Sequence, residues 1–179
     1  MTRLIVSVIL LALASTAQAE IYLELSIEDG GDTLIGTSAG EEINAGGGLK
    51  LAFGVQNEVG ENGKSLSLSL GYLFDNIEAS DGTAEISTFT FDAIYSILKD
   101  RHRFGIGGSY HIGPNYEDDI AGFSPSKVDF DNALGFILQY SYTVSPGFQI
   151  GARLTEMDYE VNGFSLDAGS FGIFLSNGF

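Results

Sequence analysis

The chain has 179 residues, a formal net charge of −16 at pH 7 and no cysteine. This acidity argues against nucleic acid as a partner, because phosphate binding requires clustered basic side chains. The lack of cysteine excludes a disulfide framework, thiol catalysis and a lipid anchor on an N-terminal cysteine.

The first residues have the pattern of an export signal. Arg3 provides a short basic start, residues 4–14 are an apolar run, and Ala17-Gln18-Ala19 fits the A-x-A cleavage motif. The apolar run is shorter than the roughly 20 residues that a membrane-spanning helix needs. We therefore predict a signal peptide over residues 1–19 and, after export through the inner membrane, a single mature domain over residues 20–179.

Beyond residue 20 the hydrophobic pattern has a period of two, as in strands with one apolar face. Each alternating segment is about as long as a tilted membrane strand of roughly 9–11 residues. The third segment is the clearest, because Leu66, Leu68 and Leu70 alternate with Ser67 and Ser69. The eight predicted segments are 21–28, 46–56, 65–75, 85–98, 103–113, 128–143, 148–158 and 164–179.

The predicted links between these segments alternate in character. The short, turn-rich links are 57–64, 99–102 and 145–147; the longer acidic ones are 29–45, 76–84 and 114–127, while 159–163 is short. An even-numbered barrel with both termini at one end has three links at that end and four at the other. Outer-membrane barrels have short turns on the periplasmic side, so most acidic residues are predicted to lie outside the cell.

Alternation alone does not distinguish a transmembrane barrel from a soluble, lipocalin-type barrel with an apolar interior. The polar face combines charges with Gly, Ser and Thr, which fit the narrow lumen of eight strands, whereas the Leu, Phe and Tyr of the other face are too bulky. Aromatic residues concentrate toward the strand ends, as in interfacial girdles. The outer girdle is predicted to contain Tyr72, Phe74, Phe89, Phe91, Tyr110 and Phe130. We therefore predict an all-β fold, an eight-stranded antiparallel up-and-down transmembrane β-barrel.

The C-terminal segment carries a further feature. Apolar residues alternate with small or polar ones and the last is a C-terminal Phe: Phe171, Ile173, Leu175 and Phe179. This pattern resembles the assembly signal of bacterial outer-membrane proteins, although Asn177 departs from it, and residues 151–160 are similar to the penultimate strand of many such barrels. The mature chain resembles the small outer-membrane β-barrel superfamily, the porin-family proteins that include OmpX and the membrane domain of OmpA.

This resemblance implies a location in the outer membrane of a Gram-negative bacterium, as part of the cell envelope. It also implies contact with outer-membrane lipid and lipopolysaccharide, insertion by the barrel-assembly machinery, and a monomer. Members of the superfamily include structural proteins, adhesins, narrow pores and lipid-modifying enzymes, so the resemblance does not imply one activity.

Charged residues on the predicted lumen face point to an internal polar network. A guanidinium buried in a narrow lumen needs carboxylate partners, and for Arg153 we expect Asp129 and Asp131 on the preceding segment. Glu24 and Asp92 are alternatives that the sequence does not rank. The predicted lumen network comprises Glu24, Lys50, Asp92, His111, Asp129, Asp131 and Arg153. Such a network favours a plugged lumen over a narrow pore for small solutes, which stays the alternative function.

Two other kinds of chemistry have some support in the sequence. Ser109 and His111 share the lumen face, and lipid-modifying outer-membrane enzymes use Ser with His, so lipid modification is a third candidate function. Acidic loop clusters could bind Ca²⁺ or Mg²⁺, but none has the EF-hand spacing. We favour a structural histidine and a solvated acidic rim. The prediction is therefore a structural or surface-interaction role, with acidic extracellular loops and no enzyme activity, catalytic residue, cofactor or metal site.

Overall fold

The computed structural model describes residues 19–36, 40–59, 63–79, 82–121 and 124–179. The signal peptide predicted over residues 1–19 lies almost wholly outside these ranges and stays a prediction. No helix in the part of the chain that the structure describes is long and apolar enough to cross a membrane.

The described residues form thirteen strands. They are β1 (Glu20–Asp29), β2 (Thr33–Gly36), β3 (Glu42–Asn44), β4 (Gly48–Glu58), β5 (Lys64–Ala79), β6 (Gly82–Lys99), β7 (His102–Ile120), β8 (Ser126–Asp129), β9 (Ala133–Ser145), β10 (Phe148–Glu156), β11 (Asp158–Val161), β12 (Phe164–Asp167) and β13 (Ser170–Gly178). Eight of them, β1, β4, β5, β6, β7, β9, β10 and β13, pair antiparallel in chain order, and β13 returns to β1 to close a barrel. The predicted fold class is confirmed.

The two ends of the barrel differ. The first residue of β1 and the last of β13 lie at one end, together with the last residue of β4, the first of β5 and the short turns 100–101 and 146–147. Left-handed residues make the two turns tight, Asp100 with a φ of 59° and Gly147 with a φ of 78°. We call this the turn end. The opposite end, the loop end, carries β2 with β3, β8, and the β11–β12 hairpin.

Side-chain burial is the reverse of that in a water-soluble barrel. Polar residues of the barrel strands are buried in the lumen, among them Asp92 and Ser141. Large apolar residues cover the outside, where Leu70 is 61% exposed and Phe89 is 62% exposed. Period-two alternation produces this arrangement, because successive side chains of a strand point to opposite faces.

Four of the predicted links and segments have wrong boundaries at the loop end. The acidic links predicted at 76–84 and 114–127 belong largely to β5, β6 and β7, which extend beyond the barrel as paired strands. In these extensions many outward-facing residues are acidic rather than apolar, so the sequence does not show the usual apolar alternation. Ile77, Ile86 and Tyr116 nevertheless face inward and are buried. The last predicted segment, 164–179, divides into β12, which pairs with β11, and the barrel strand β13.

The sixth predicted segment, 128–143, also divides. Residues 126–129 form β8, which pairs with the extension of β7, and the barrel strand β9 begins only at Ala133. Phe130 lies between the two strands and is buried, so its place in the predicted outer girdle is wrong. The break between β8 and β9 interrupts the alternation on which that prediction depended.

An apolar cluster fills the loop end of the lumen. We call it the loop-end plug: Ile43, Ala45, Ile77, Ala84, Ile86, Tyr116, Phe130, Ala133, Met157, Tyr159 and Ala168. The barrel strands and the loop-end strands both contribute to it. Backbone hydrogen bonds hold the loops over the barrel, from Asp32 N to Asp167 O at 2.7 Å and from Asp131 N to Glu160 O at 2.8 Å.

Candidate functional site: the lumen

The middle of the lumen holds five buried charged residues from four strands. We call them the mid-lumen charge layer: Glu24 and Glu28 of β1, Lys50 of β4, Asp92 of β6 and Arg153 of β10. Small neighbours provide the space that these side chains occupy. At Gly172, opposite Arg153 in the strand register, an added Cβ would lie 2.1 Å from Glu28 Oε2.

Arg153 lies at the centre of this layer. Its Nη2 is 2.8 Å from Glu24 Oε1 and donates to Gln139 Oε1 at 2.7 Å, and Nε donates to the same oxygen at 3.0 Å. Its Nη1 lies 3.7 Å from Asp92 Oδ2 and 4.0 Å from Glu28 Oε1. The guanidinium carbon is 5.3 Å from the centroid of the Phe174 ring, which lies beneath it.

The carboxylates of the layer have further partners. Lys50 Nζ donates to Asp92 Oδ2 at 2.6 Å, and Ser109 Oγ donates to Asp92 Oδ1 at 2.6 Å. Ser26 Oγ donates to Glu28 Oε1 at 2.8 Å. Charge-assisted hydrogen bonds of this kind offset the desolvation of buried ions. The arrangement therefore fixes a side-chain bridge across the barrel axis.

The structure brings together most of the predicted lumen residues but not all of them. Glu24, Lys50, Asp92 and Arg153 meet in the mid-lumen layer, and His111 lies above them. The two remaining predicted members, both aspartates, lie elsewhere. Glu28 was absent from the predicted network, although it continues the two-residue spacing of the inward face of β1.

The prediction that Asp129 and Asp131 face the lumen and hold Arg153 is wrong. Asp129 is exposed in β8, where it accepts a hydrogen bond from Asn115 and lies 3.9 Å from Lys127 Nζ. Asp131 is exposed in the connection between β8 and β9. Both residues precede the start of β9, so the inward alternation of that strand does not include them.

The strand register explains which partner Arg153 has on β9. Arg153 pairs with Gln139, because a β-bulge between Phe148 and Gln149 shifts the register. Beside the turn Phe148 pairs with Ser145, and the same register continued without the bulge would place Arg153 opposite Tyr140, whose side chain faces outward. A single extra residue near a tight turn is a common irregularity of antiparallel pairs, and it re-aims every later pair of side chains.

His111, two residues beyond Ser109 on β7, contacts the loop-end plug. Its Nδ1 is 2.6 Å from Tyr159 Oη, and the Tyr159 ring lies 5.5 Å from that of Phe130. Burial raises the pKa of Tyr159, which lies in β11 above the barrel strands, beyond its ordinary value. Ser109 donates to Asp92 rather than to His111, so these two residues do not form a nucleophile–base pair.

The described parts of the acidic loops contain no preformed metal site. In those ranges no three His, Asp or Glu side chains are grouped so that they could hold a metal ion. Lys127 instead pairs with Glu117, and this contact, together with Asp129, raises the pKa of its ammonium group.

No protein-family model matches the sequence, and the comparison with curated proteins finds no match. Solved structures do match. Ail of Yersinia pestis, in complex with the heparin analogue sucrose octasulfate, has a TM-score of 0.58 and 9% identity, and the alignment covers 90% of this chain and 97% of Ail. The fold is that of a small bacterial outer-membrane β-barrel.

Two further structures agree with this assignment of the fold. Neisserial surface protein A has a TM-score of 0.52 at 13% identity, with 90% of this chain and 97% of that protein covered. A major outer-membrane protein of Thermus thermophilus has a TM-score of 0.50 at 11% identity, with coverage of 90% and 99%. At these identities the likeness concerns the fold, and it confirms the predicted resemblance at that level.

Proposed function

We propose that this protein is a structural or surface-interaction barrel of the bacterial outer membrane, and that its lumen is closed. The observation that carries the proposal is the combination of an apolar outer surface with a filled interior. Contiguous apolar surface of this extent is rare on soluble monomers, whereas lipid accommodates it. The wall includes Ile27, 69% exposed, and Ile106, 56% exposed.

The interior supports a closed barrel rather than a conducting one. The mid-lumen charge layer bridges the axis with ion pairs of 2.6 and 2.8 Å, and the loop-end plug lies above it. A solute would have to displace both layers. The apolar plug offers water few hydrogen-bond partners, which further disfavours a narrow aqueous pore.

The loop end suits partners other than polyanions. Lys127 is the only Lys or Arg of the described residues there, it pairs with Glu117, and acidic residues surround it. The Ail structure contains a polysulfated heparin analogue. A polysulfated ligand is not expected to bind this loop end, because like charges across an interface oppose association.

The remaining parts of the proposal concern export and surroundings. The signal peptide directs export, the barrel-assembly machinery inserts the mature chain, and the monomer contacts outer-membrane lipid and lipopolysaccharide. The proposed role involves no enzyme activity. Mass spectrometry of lipid A from cells with and without the protein is expected to give identical spectra, and a new acylation state would contradict this part.

The membrane location is tested by expressing the full chain in a Gram-negative host and separating its compartments. We expect the protein in the outer-membrane fraction, with heat-modifiable migration in gels, because a closed barrel resists unfolding by detergent. Recovery in the soluble periplasm without detergent would contradict a membrane barrel.

The closed lumen is tested separately in planar lipid bilayers. Purified protein that shows heat-modifiable migration is expected to produce no conductance steps. Reproducible steps from the same preparation would contradict the closed lumen and favour the narrow pore, while leaving the membrane location intact.

A further inference from the structure

The turn end of the lumen is open. A cup of about 400 Å³ lies there, and we call it the turn-end cup; its polar lining includes Glu20, Gln56, Glu58, Arg103 and Gln149. A narrower extension leads inward to Arg153 and Phe174, which form its floor. The volume of the turn-end cup lies in the range of small-molecule sites.

Arg103 has a different environment from the other lumen cations. Lys50 and Arg153 each have a carboxylate oxygen within 2.8 Å. Arg103 is half-buried and donates from Nη1 to Ser65 Oγ at 2.5 Å, but its Nε makes no hydrogen bond and no carboxylate in the described ranges lies within 4.0 Å of it. A partly desolvated guanidinium without a counter-ion is unfavourable, so this site favours an added anionic acceptor.

Two carboxylates line the same cup. Glu20 and Glu58 are on its wall with Arg103 but lie beyond ion-pair distance of the guanidinium. The amides of Gln56 and Gln149 lie along the wall. Processing after Ala19 would also place the α-ammonium group of Glu20 here, so Glu58 is the carboxylate on which a cationic ligand group would chiefly depend.

We propose that the turn-end cup binds a small zwitterion of the amino-acid or short-peptide class. The ligand carboxylate accepts hydrogen bonds from the Arg103 guanidinium, and the ligand ammonium group faces Glu58 and Glu20. In a peptide ligand, the amide group contacts Gln56 and Gln149. A simple anion fits less well, because the same carboxylates repel it. The proposal depends on the barrel geometry alone and does not rest on the membrane location or the closed lumen.

The test uses the purified protein in detergent micelles and the dipeptide glycylglycine as probe. Binding is measured by calorimetry and by NMR shifts, with acetate and N-acetylglycinamide as comparison compounds. We expect glycylglycine to bind at least tenfold more tightly than either, with shifts confined to the cup. Equal binding of acetate would overturn the zwitterion assignment, and absence of glycylglycine binding would overturn the site.

Variants assign the contacts. Arg103→Gln is expected to weaken glycylglycine binding about tenfold or more, as expected for charge-assisted hydrogen bonds, whereas Arg101→Gln, in the exposed neighbouring turn, should leave it unchanged. Glu58→Gln should weaken glycylglycine binding without weakening that of acetate. Heat-modifiable migration shows whether each variant barrel is closed. Unchanged affinity in a folded Arg103→Gln variant, or in Glu58→Gln, which lies at the exposed rim, would overturn the proposal.

Discussion

Two adjacent layers of opposite chemistry occupy the lumen. In the mid-lumen charge layer, every side chain comes from a barrel strand and each contact depends on a few polar atoms. In the loop-end plug, loops and strands together bury apolar surface around Tyr159 and Ile43. Buried ion pairs contribute little net stability but are costly to break, whereas apolar packing contributes in proportion to buried volume. The two layers should therefore respond differently to substitution.

The largest effect is expected in the charge layer. Arg153→Ala leaves Glu24, Asp92 and Glu28 without their shared cation, and breaking a buried pair in this way costs about 3–5 kcal/mol. The free energy of unfolding in lipid vesicles, from denaturant titration, measures the loss. Lys127→Ala, which removes an exposed pair, is the control and should have no measurable effect. Unchanged stability of Arg153→Ala would show that the arginine is solvated and structurally idle.

The plug should respond in graded steps. Ile86 is buried in it, so Ile86→Val should cost about 1 kcal/mol and Ile86→Ala about 3 kcal/mol, because each removed group leaves a larger cavity. The same titration measures both. Leu134→Ala on the outer wall, where the side chain is 77% exposed, should cost less than Ile86→Ala. Equal losses for Ile86→Val and Ile86→Ala would contradict volume-dependent packing.

A smaller effect is expected where the layers meet. Tyr159→Phe removes the contact with His111 Nδ1 but keeps the buried ring, so it should cost about 1 kcal/mol at pH 8. A loss as large as that of Ile86→Ala would show that the hydrogen bond, rather than ring packing, holds the plug to the barrel.

Stability at alkaline pH tests the same Tyr159 contact in a second way. Burial raises the pKa of folded Tyr159 above its ordinary value of 10.0, so folding favours the protonated phenol. Its contribution is complete below about pH 10 and decreases as pH rises further. Between pH 8 and pH 11 the wild type should therefore lose more stability than Tyr159→Phe. Parallel losses in the two proteins would show that this phenol is not the titrating group.

The alternating segments of the barrel were predictable because every second side chain along a barrel strand faces outward and, in most cases, is apolar. In β5, Leu66, Leu68 and Leu70 face outward and Ser67 and Ser69 inward, as the sequence predicts. The rule failed at Asp129, Asp131 and Phe130, since it assumes an unbroken strand. The change from β8 to β9 depends on pairing with the extension of β7.

The sequence alone determined the number of barrel strands, their order and the separation of apolar from polar faces, because these follow from a two-residue period repeated in eight segments. Only the tertiary structure decided which lumen residues meet. The distance from Arg153 to Glu24 depends on barrel closure between β13 and β1, and its pairing with Gln139 depends on the bulge after Phe148. Such contacts join residues far apart in the chain, and a change of register moves them while the alternation stays the same.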